Sequence, residues 1–235
     1  MPKPTPTQVL IVGAGPTGLT ASMELSRLGI RTRIIDKRPE PATTSRAIGV
    51  QARTLEQMEL RGLADAFVRL GNQGRYASAY GGGKRVFRLD FGGIDSRYPY
   101  LLFISQSETE RILSEAIGAQ GVTIERGVEM IGFAQDAMAR HGQAVSAMLR
   151  HTDGTIEQTA ADYLISAEGA HSVVRTSLDL RFEGKTLNQH YALGDLLIDG
   201  DLPETDFHIF SSARLHGPVP DGPAAFPPDR QQSVE

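Results

Sequence analysis

LIVGAGPTGLTASMELSRLGIRTRIIDKRPE, residues 10–40, is the stretch on which the reading of this chain turns. Val9 to Val12 are four consecutive apolar residues that stop at a glycine. A short continuous run of aliphatic and β-branched residues is the pattern of a strand buried on both faces. PTGLTASMELSRLG follows as a helix, with Leu19, Met23, Leu25 and Leu28 roughly on one face and Gly29 as its stop. IRTRIID reads as a second strand. The order is strand, helix, strand, with the glycines in the first turn.

Gly13, Gly15 and Gly18 give G-x-G-x-x-G. The first glycine allows the tight turn, the second lets backbone approach a pyrophosphate, and the third lets helix pack closely on strand. Pro16 suits a first helical position, where its missing N–H is no loss, and Thr17 follows it. The helix N-terminus presents unbonded N–H groups and a partial positive charge to phosphate. Asp36 ends the second strand, about 20 residues beyond the glycines, where a carboxylate can accept both ribose hydroxyls. That acid disfavours a 2′-phosphate. Lys37 and Arg38 complicate the inference as basic neighbours; their ordinary reading is solvated surface charge, although Lys37, next to Asp36, is also a candidate cofactor contact.

The totals narrow the function further. The 235 residues suit one large domain, or one domain with part of a second. With 40% hydrophobic and 22% charged residues the balance is that of an ordinary globular protein. A formal net charge of -4 gives no pull toward nucleic acid. There is no cysteine, which excludes disulfides, thiolate nucleophiles and a redox-active cysteine pair. MPKPTPTQ lacks the apolar core of a signal peptide, and no apolar run nears the ~20 residues of a membrane span. A cytoplasmic protein is therefore expected. The six histidines include no i, i+4 pair, so no metal is expected.

The first motif does not separate FAD from NAD; the rest of the chain does. TTSRAIGVQARTLEQMELRGL reads as a loop leading into a helix that ends at Gly62. RYASAYGGGKRVFRLDFGGIDSRYPYLLFISQ has the composition of antiparallel sheet, where a simple NAD dehydrogenase would continue with alternating strands and helices. SETERILSEAIGAQG is a helix with Ile112, Leu113 and Ile117 as its apolar face. VTIERGVEMIGFAQD, AVSAMLRHTDGTIEQTA and ADYLISAEG read as strands, with Asp153-Gly154 a hairpin turn.

Four motifs in order, GAGPTG with Asp36, SRAIGVQARTLE, ISQSETERIL and DYLISAEGAHSVVR, make the chain resemble the FAD-dependent aromatic hydroxylases. These are group A flavoprotein monooxygenases of the para-hydroxybenzoate hydroxylase type. The likeness covers about residues 8 to 210 and is nearest to the members acting on phenols and polyketide aromatics. It implies an α/β fold: a Rossmann-like FAD-binding βαβ unit of the glutathione-reductase type, with an inserted antiparallel substrate-domain sheet, incomplete at the C-terminus. The expected division is 1–75 with 106–180 as the FAD-binding domain and 76–105 with 181–210 as part of the substrate sheet. Residues 211–235 are expected to be a disordered tail, having five prolines and no periodicity.

The resemblance also implies roles. Arg46 matches the family arginine beside the FAD pyrophosphate and the mobile isoalloxazine, a role that suits a permanently charged, two-pronged guanidinium. Gln106 matches a glutamine that hydrogen-bonds the cofactor, whereas Arg111 reads as a solvated helix arginine. AEGAHSVVR matches the second fingerprint, near the pyrophosphate and implicated in NAD(P)H binding. Glu168 stands there in place of the family's usual aspartate, with Gly169, Ser172 and Arg175 around it; His171 stands alone and reads as structural. Tyr76, Tyr80, Phe87, Phe103 and Phe210 are candidates for a substrate wall, although each reads more readily as core.

In such an enzyme NAD(P)H reduces the flavin, which reacts with O2 to a C4a-hydroperoxide that hydroxylates a small aromatic substrate. The protein's share is positioning, water exclusion and help toward phenolate. No general base is identified. The partners implied are that substrate and O2, with a homodimer left open and neither nucleic acid nor membrane. Family members run well past 235 residues, and a third fingerprint, Gly-Asp, is missing, since Gly194-Asp195 falls too early and matches a substrate-domain strand. A truncated, inactive paralogue or an FAD-binding partner subunit is thus the alternative.

Overall fold

Aliphatic and aromatic positions scattered through a chain make no fold until the strands that carry them are brought into register. In the computed structural model, which describes residues 7–41, 48–135, 144–184 and 205–211, the elements run as follows. They are β1 (Thr7–Val12), α1 (Pro16–Arg27), β2 (Thr32–Asp36), β3 (Gly49–Val50), α2 (Ala52–Glu59), α3 (Ala64–Leu70), β4 (Asn72–Gly74), β5 (Tyr76–Gly81) and β6 (Lys84–Asp90). Then come β7 (Leu101–Phe103), α4 (Gln106–Ala119), β8 (Ile124–Arg126), β9 (Glu129–Gln135), β10 (Val145–Arg150), β11 (Ile156–Ser166), α5 (Val173–Ser177) and β12 (Asp206–Ser211).

Two compact units result, one drawn from the spans Met1–Arg46 and Gln106–Ala192, the other from Ala47–Ser105 and Leu193–Glu235. The described residues between 48 and 75 cluster with the second unit.

The first unit is built on a six-stranded sheet in the order β8-β2-β1-β11-β10-β9. The first four strands are parallel, and β10 and β9 continue antiparallel. Leu10, Val12, Ile35, Val128, Met130, Ala147, Leu149 and Ala161 form a buried cluster, with Val173 and Val174 of α5 packed against it. Ile11 and Ile34 alternate to the opposite face and are also fully buried, as are Leu19 and Met23 of α1 and Ile117 of α4. Each such side chain contributes about 1.5–3 kcal/mol by leaving water.

Three differences from the sequence reading are local. VTIERGVEMIGFAQD divides at Gly127, which takes φ +69°, into β8 and β9 at opposite ends of the sheet. HTDGTIEQTA and ADYLISAEG join into the single eleven-residue β11, because Ala160 and Ala161 keep pairing with Ser146 and Val145. The helix expected to run to Gly62 stops at Glu59; Gly62 takes φ +71° in the turn and α3 follows. The hairpin at Asp153-Gly154 is present, with Gly154 at φ +84° and the Thr155 N–H bonded to Asp153 Oδ1 at 2.8 Å.

The second unit contains a sheet in the order β12-β5-β6 and a smaller one, β3-β7-β4. β5 and β6 pair antiparallel, as their composition predicts, whereas β12 pairs parallel to β5. Tyr80 stacks on Phe210 with ring centroids 4.9 Å apart, and Phe103 on Phe207 at 5.2 Å. Tyr76 lies under the Arg88 guanidinium, while Phe87 is exposed. The expected tail falls outside the described residues except for Ser211, as do Arg46 and Gly194-Asp195.

Candidate dinucleotide-binding site

Of the three motif glycines, two are demanded by the protein itself and one is not. Gly13 has φ +105°, and a Cβ there would lie 2.4 Å from the carbonyl oxygen of Ala167. Its N–H donates to Ile35 O at 2.8 Å, and Ala167 N–H donates to Val12 O at 2.8 Å. The first turn is therefore clamped between β2 and the end of β11. At Gly18 a Cβ would meet Gly13 O at 1.9 Å, so helix and turn touch through backbone. Gly15 differs: its φ is -80° and a Cβ would meet nothing within 4 Å. Neither strain nor contact requires glycine there, so what the missing side chain leaves open is approach from outside.

Gly15 is also the N-cap of α1, with no side-chain cap, and Pro16 opens the helix. The twelve-residue helix thus turns its N-terminal backbone toward the open side of Gly15. Against it lies a cleft of about 390 Å³ lined by Thr17, Ser166, Ala167, Gly169, Ser172 and Arg175. The fold so brings together GAGPTG and AEGAHSVVR, which are far apart in sequence. An uncapped helix start, a glycine with room before it and a cleft of small polar residues fit the pyrophosphate of a dinucleotide.

Glu168 does not line that cleft. Its carboxylate accepts from Ser166 Oγ (2.8 Å), Ser172 Oγ (2.7 Å), Val173 N–H (3.1 Å) and Val174 N–H (3.2 Å). Burial alone would push this carboxyl up. The Ser172 hydroxyl, the Val174 N–H and the two remaining donors together outweigh it and hold the group below its ordinary value. Glu168 therefore shapes the loop that carries the cleft, and the methylene it has over aspartate is used in reaching its own loop. Ser172 Oγ also accepts from Arg175 N–H at 3.1 Å and caps α5.

Asp36 sits where the second strand ends and is buried. Its Oδ2 accepts from Ala14 N–H at 2.8 Å, which ties the acid to the glycine turn. Arg38 supplies the other bonds, from its backbone N–H to Oδ1 at 2.8 Å and from Nε and Nη2 to Oδ1 and Oδ2, each at 3.1 Å. Desolvation is the largest single influence on this carboxyl and opposes its charge, but the Arg38 bonds and the Ala14 N–H prevail and lower it. Arg38 is thus an ion-pair partner where sequence suggested solvated charge; Lys37 is exposed beside it.

Beyond Arg38 lies a residue that sequence reasoning missed. Glu110 on α4 is 1% exposed, its Oε1 accepting from Gln106 Nε2 at 2.8 Å and its Oε2 lying 3.8 Å from Arg38 Nη2. The spacing of Gln106 and Glu110 at i, i+4 on one helix was the available signal. Gln106, expected as a cofactor ligand, is joined through Glu110 to Arg38 and Asp36. Arg111 is exposed and paired with Glu108 and Glu115, as a solvated helix arginine should be.

The chain is similar in sequence and fold to known flavoproteins. The sequence matches the family described as FAD binding domain over residues 6–233. It is 40% identical over 219 residues to 6-methylpretetramide 4-monooxygenase of Streptomyces rimosus, covering 91% of this chain and 38% of that protein. Pentachlorophenol 4-monooxygenase of Sphingobium chlorophenolicum is 33% identical over 184 residues, covering 77% and 33%. Among solved structures, a ternary complex of aklavinone-11 hydroxylase with FAD and aklavinone superposes with a TM-score of 0.65 at 29% identity, covering 74% of this chain and 35% of that one. The chain spans well under half the length of these relatives.

Proposed function

The chain belongs to the FAD binding domain family, and from that premise we propose that it holds FAD at the Gly13–Gly18 turn in an NAD(P)H-dependent monooxygenase of aromatic substrates. The observation that carries the reading is the contrast between glycines: Gly13 and Gly18 are locked by contacts, and Gly15 is left open beside an uncapped helix. The names of the relatives, which act on a pretetramide and a chlorinated phenol, support a phenolic or polyketide-like substrate.

The roles follow from the residues. Gly15, Pro16 and Thr17 receive the pyrophosphate at the start of α1, with the charge of the helix end opposite to that of the phosphates. Asp36 receives the adenosine ribose. Glu168 keeps the 167–174 loop in the shape that closes the other side of the cleft. Arg46 is proposed as the phosphate partner on the strength of the family likeness. Bound FAD supplies transfer of one oxygen atom of O2 to a ring, at the expense of NAD(P)H. The aromatic faces around Tyr80 and Phe210 on one sheet and Phe103 on the other are proposed to take the substrate ring.

The test is an absorbance spectrum of the purified chain after incubation with FAD and gel filtration, with the retained flavin released and identified. Retained FAD supports the reading. No flavin, even from excess FAD, overturns it. In a chain that retains FAD, NADPH or NADH consumption stimulated by a phenol tests the reaction.

A further inference from the structure

Asp36 has four acceptor positions on its two oxygens, and four donors fill them: Ala14 N–H and three N–H groups of Arg38. A ribose diol can bond this carboxylate only if some of those donors withdraw. Ala14 N–H and Arg38 N–H are backbone groups fixed by the turn and the strand end. The Arg38 side chain, 37% exposed on a flexible stem, is the part that can leave.

It has somewhere to go. Glu110 Oε2 is buried and accepts no hydrogen bond, and Arg38 Nη2 already lies 3.8 Å from it. A carboxylate oxygen with no hydrogen bond in a buried place is costly, and such groups call for an explanation. Glu110 is held from behind by Gln106, which fixes Oε1 and leaves Oε2 pointing at the guanidinium. A small rotation of Arg38 would exchange its side-chain bonds to Asp36 for bonds to Glu110, so the arginine stays paired throughout.

We infer that Glu110 is a positioning residue for ribose recognition: it takes over the Arg38 guanidinium so that Asp36 can accept the adenosine hydroxyls. The inference rests on the reading that FAD occupies the glycine turn. It gives Gln106 a part as well, as the brace that orients Glu110.

The experiment compares dissociation constants for FAD and for the FAD analogue lacking the adenosine 2′-hydroxyl, by flavin fluorescence, in the full chain and in Glu110→Gln. The unaltered chain is expected to prefer FAD about tenfold, the worth of one good hydrogen bond to a charged group. In Glu110→Gln, FAD affinity should fall about tenfold and the preference should shrink to twofold or less, since Arg38 stays on Asp36. A merely structural glutamate would weaken both ligands equally. A full tenfold preference retained in Glu110→Gln therefore overturns the inference, whatever the absolute affinities. Should Glu110→Gln not fold, Arg38→Lys decides. It keeps the charge without the two-pronged hold and should bind FAD at least as tightly with the preference intact; loss of preference there overturns the inference. FAD binding without any preference in the unaltered chain overturns this inference alone, and no FAD binding overturns the proposed function with it.

Discussion

The Arg33 guanidinium on β2 meets the Glu157 carboxylate on β11, Nη2 to Oε2 at 2.9 Å, although β1 lies between their strands. The same guanidinium grips Glu125 on β8 with two bonds of 2.7 Å. One side chain thus ties together the outer members of a four-strand parallel block. Arg33→Met should cost about 1–3 kcal/mol, between the worth of exposed and buried pairs, and the loss can be read from urea unfolding. A variant as stable as the original would reduce the clasp to decoration.

The same pair predicts an acid limit. Hydrogen bonds from Arg33, with a further one from His151, overcome burial and draw the Glu157 carboxyl down to about 2 from an ordinary 4.5. A lowered carboxyl stabilises the fold fully above its unfolded value and loses that contribution as pH falls through its folded value. The thermal midpoint should therefore drop between about pH 4.5 and 2, and Arg33→Met should flatten that part of the curve. An equally steep drop in Arg33→Met would assign the acid sensitivity to other groups.

Substitutions in the glycine turn should separate folding from ligand retention. Gly13→Ala places a methyl against the Ala167 carbonyl in a backbone region alien to alanine, and should lower stability by more than about 3 kcal/mol. Gly15→Val has room and should leave the melting temperature within a few degrees while abolishing retention of FAD. Circular dichroism and flavin release on the same samples check both. A Gly15→Val chain that keeps its flavin would count against the site.

Glu168→Gln removes the charge that gathers two hydroxyls and two N–H groups. We expect a loss of about 1–3 kcal/mol together with weaker FAD binding, because the loop loosens beside the cleft. Ser172→Ala should mimic part of both effects, since it removes one of those donors and the cap of α5. Unchanged stability in Glu168→Gln with lost flavin would instead make the carboxylate a direct ligand.

Arg46→Ala should weaken FAD binding more than tenfold, the scale of a lost charge-assisted bond, with little change in melting temperature. Equal losses of flavin and stability would favour a structural arginine.

The β1-α1-β2 start was legible in sequence because its glycines, its apolar run and its acid lie within one short stretch, where local chemistry decides geometry. The helix face of α4 and the hairpin at Asp153-Gly154 were legible for the same reason. Arg38 and Glu110 were not, because a charge next to an acid looks the same in sequence whether it is solvated or paired across seventy residues. Nor did the sequence reveal where Glu168 points: a carboxylate near a glycine motif can face the ligand or its own loop, and only the positions of Ser166 and Ser172 decide. The parallel pairing of β12 with β5 is likewise set by distant partners, which alternation within a strand cannot name.

β1 is completed from both sides at very different times. Its β2 neighbour arrives after a single helix, whereas β11, which pairs Tyr163 with Val9, is made roughly 150 residues later. During vectorial synthesis on the ribosome the Val9–Val12 edge therefore waits unpaired, apolar and ready to stick, while most of the chain is still being translated. The Gly13 turn, proposed to hold the ligand, waits with it, because Gly13 meets Ala167 only when β11 arrives. On the proposed reading, nucleotide affinity would be acquired late in folding, and a nascent chain halted before residue 167 would carry the complete glycine signature without the Ala167 contact that locks Gly13.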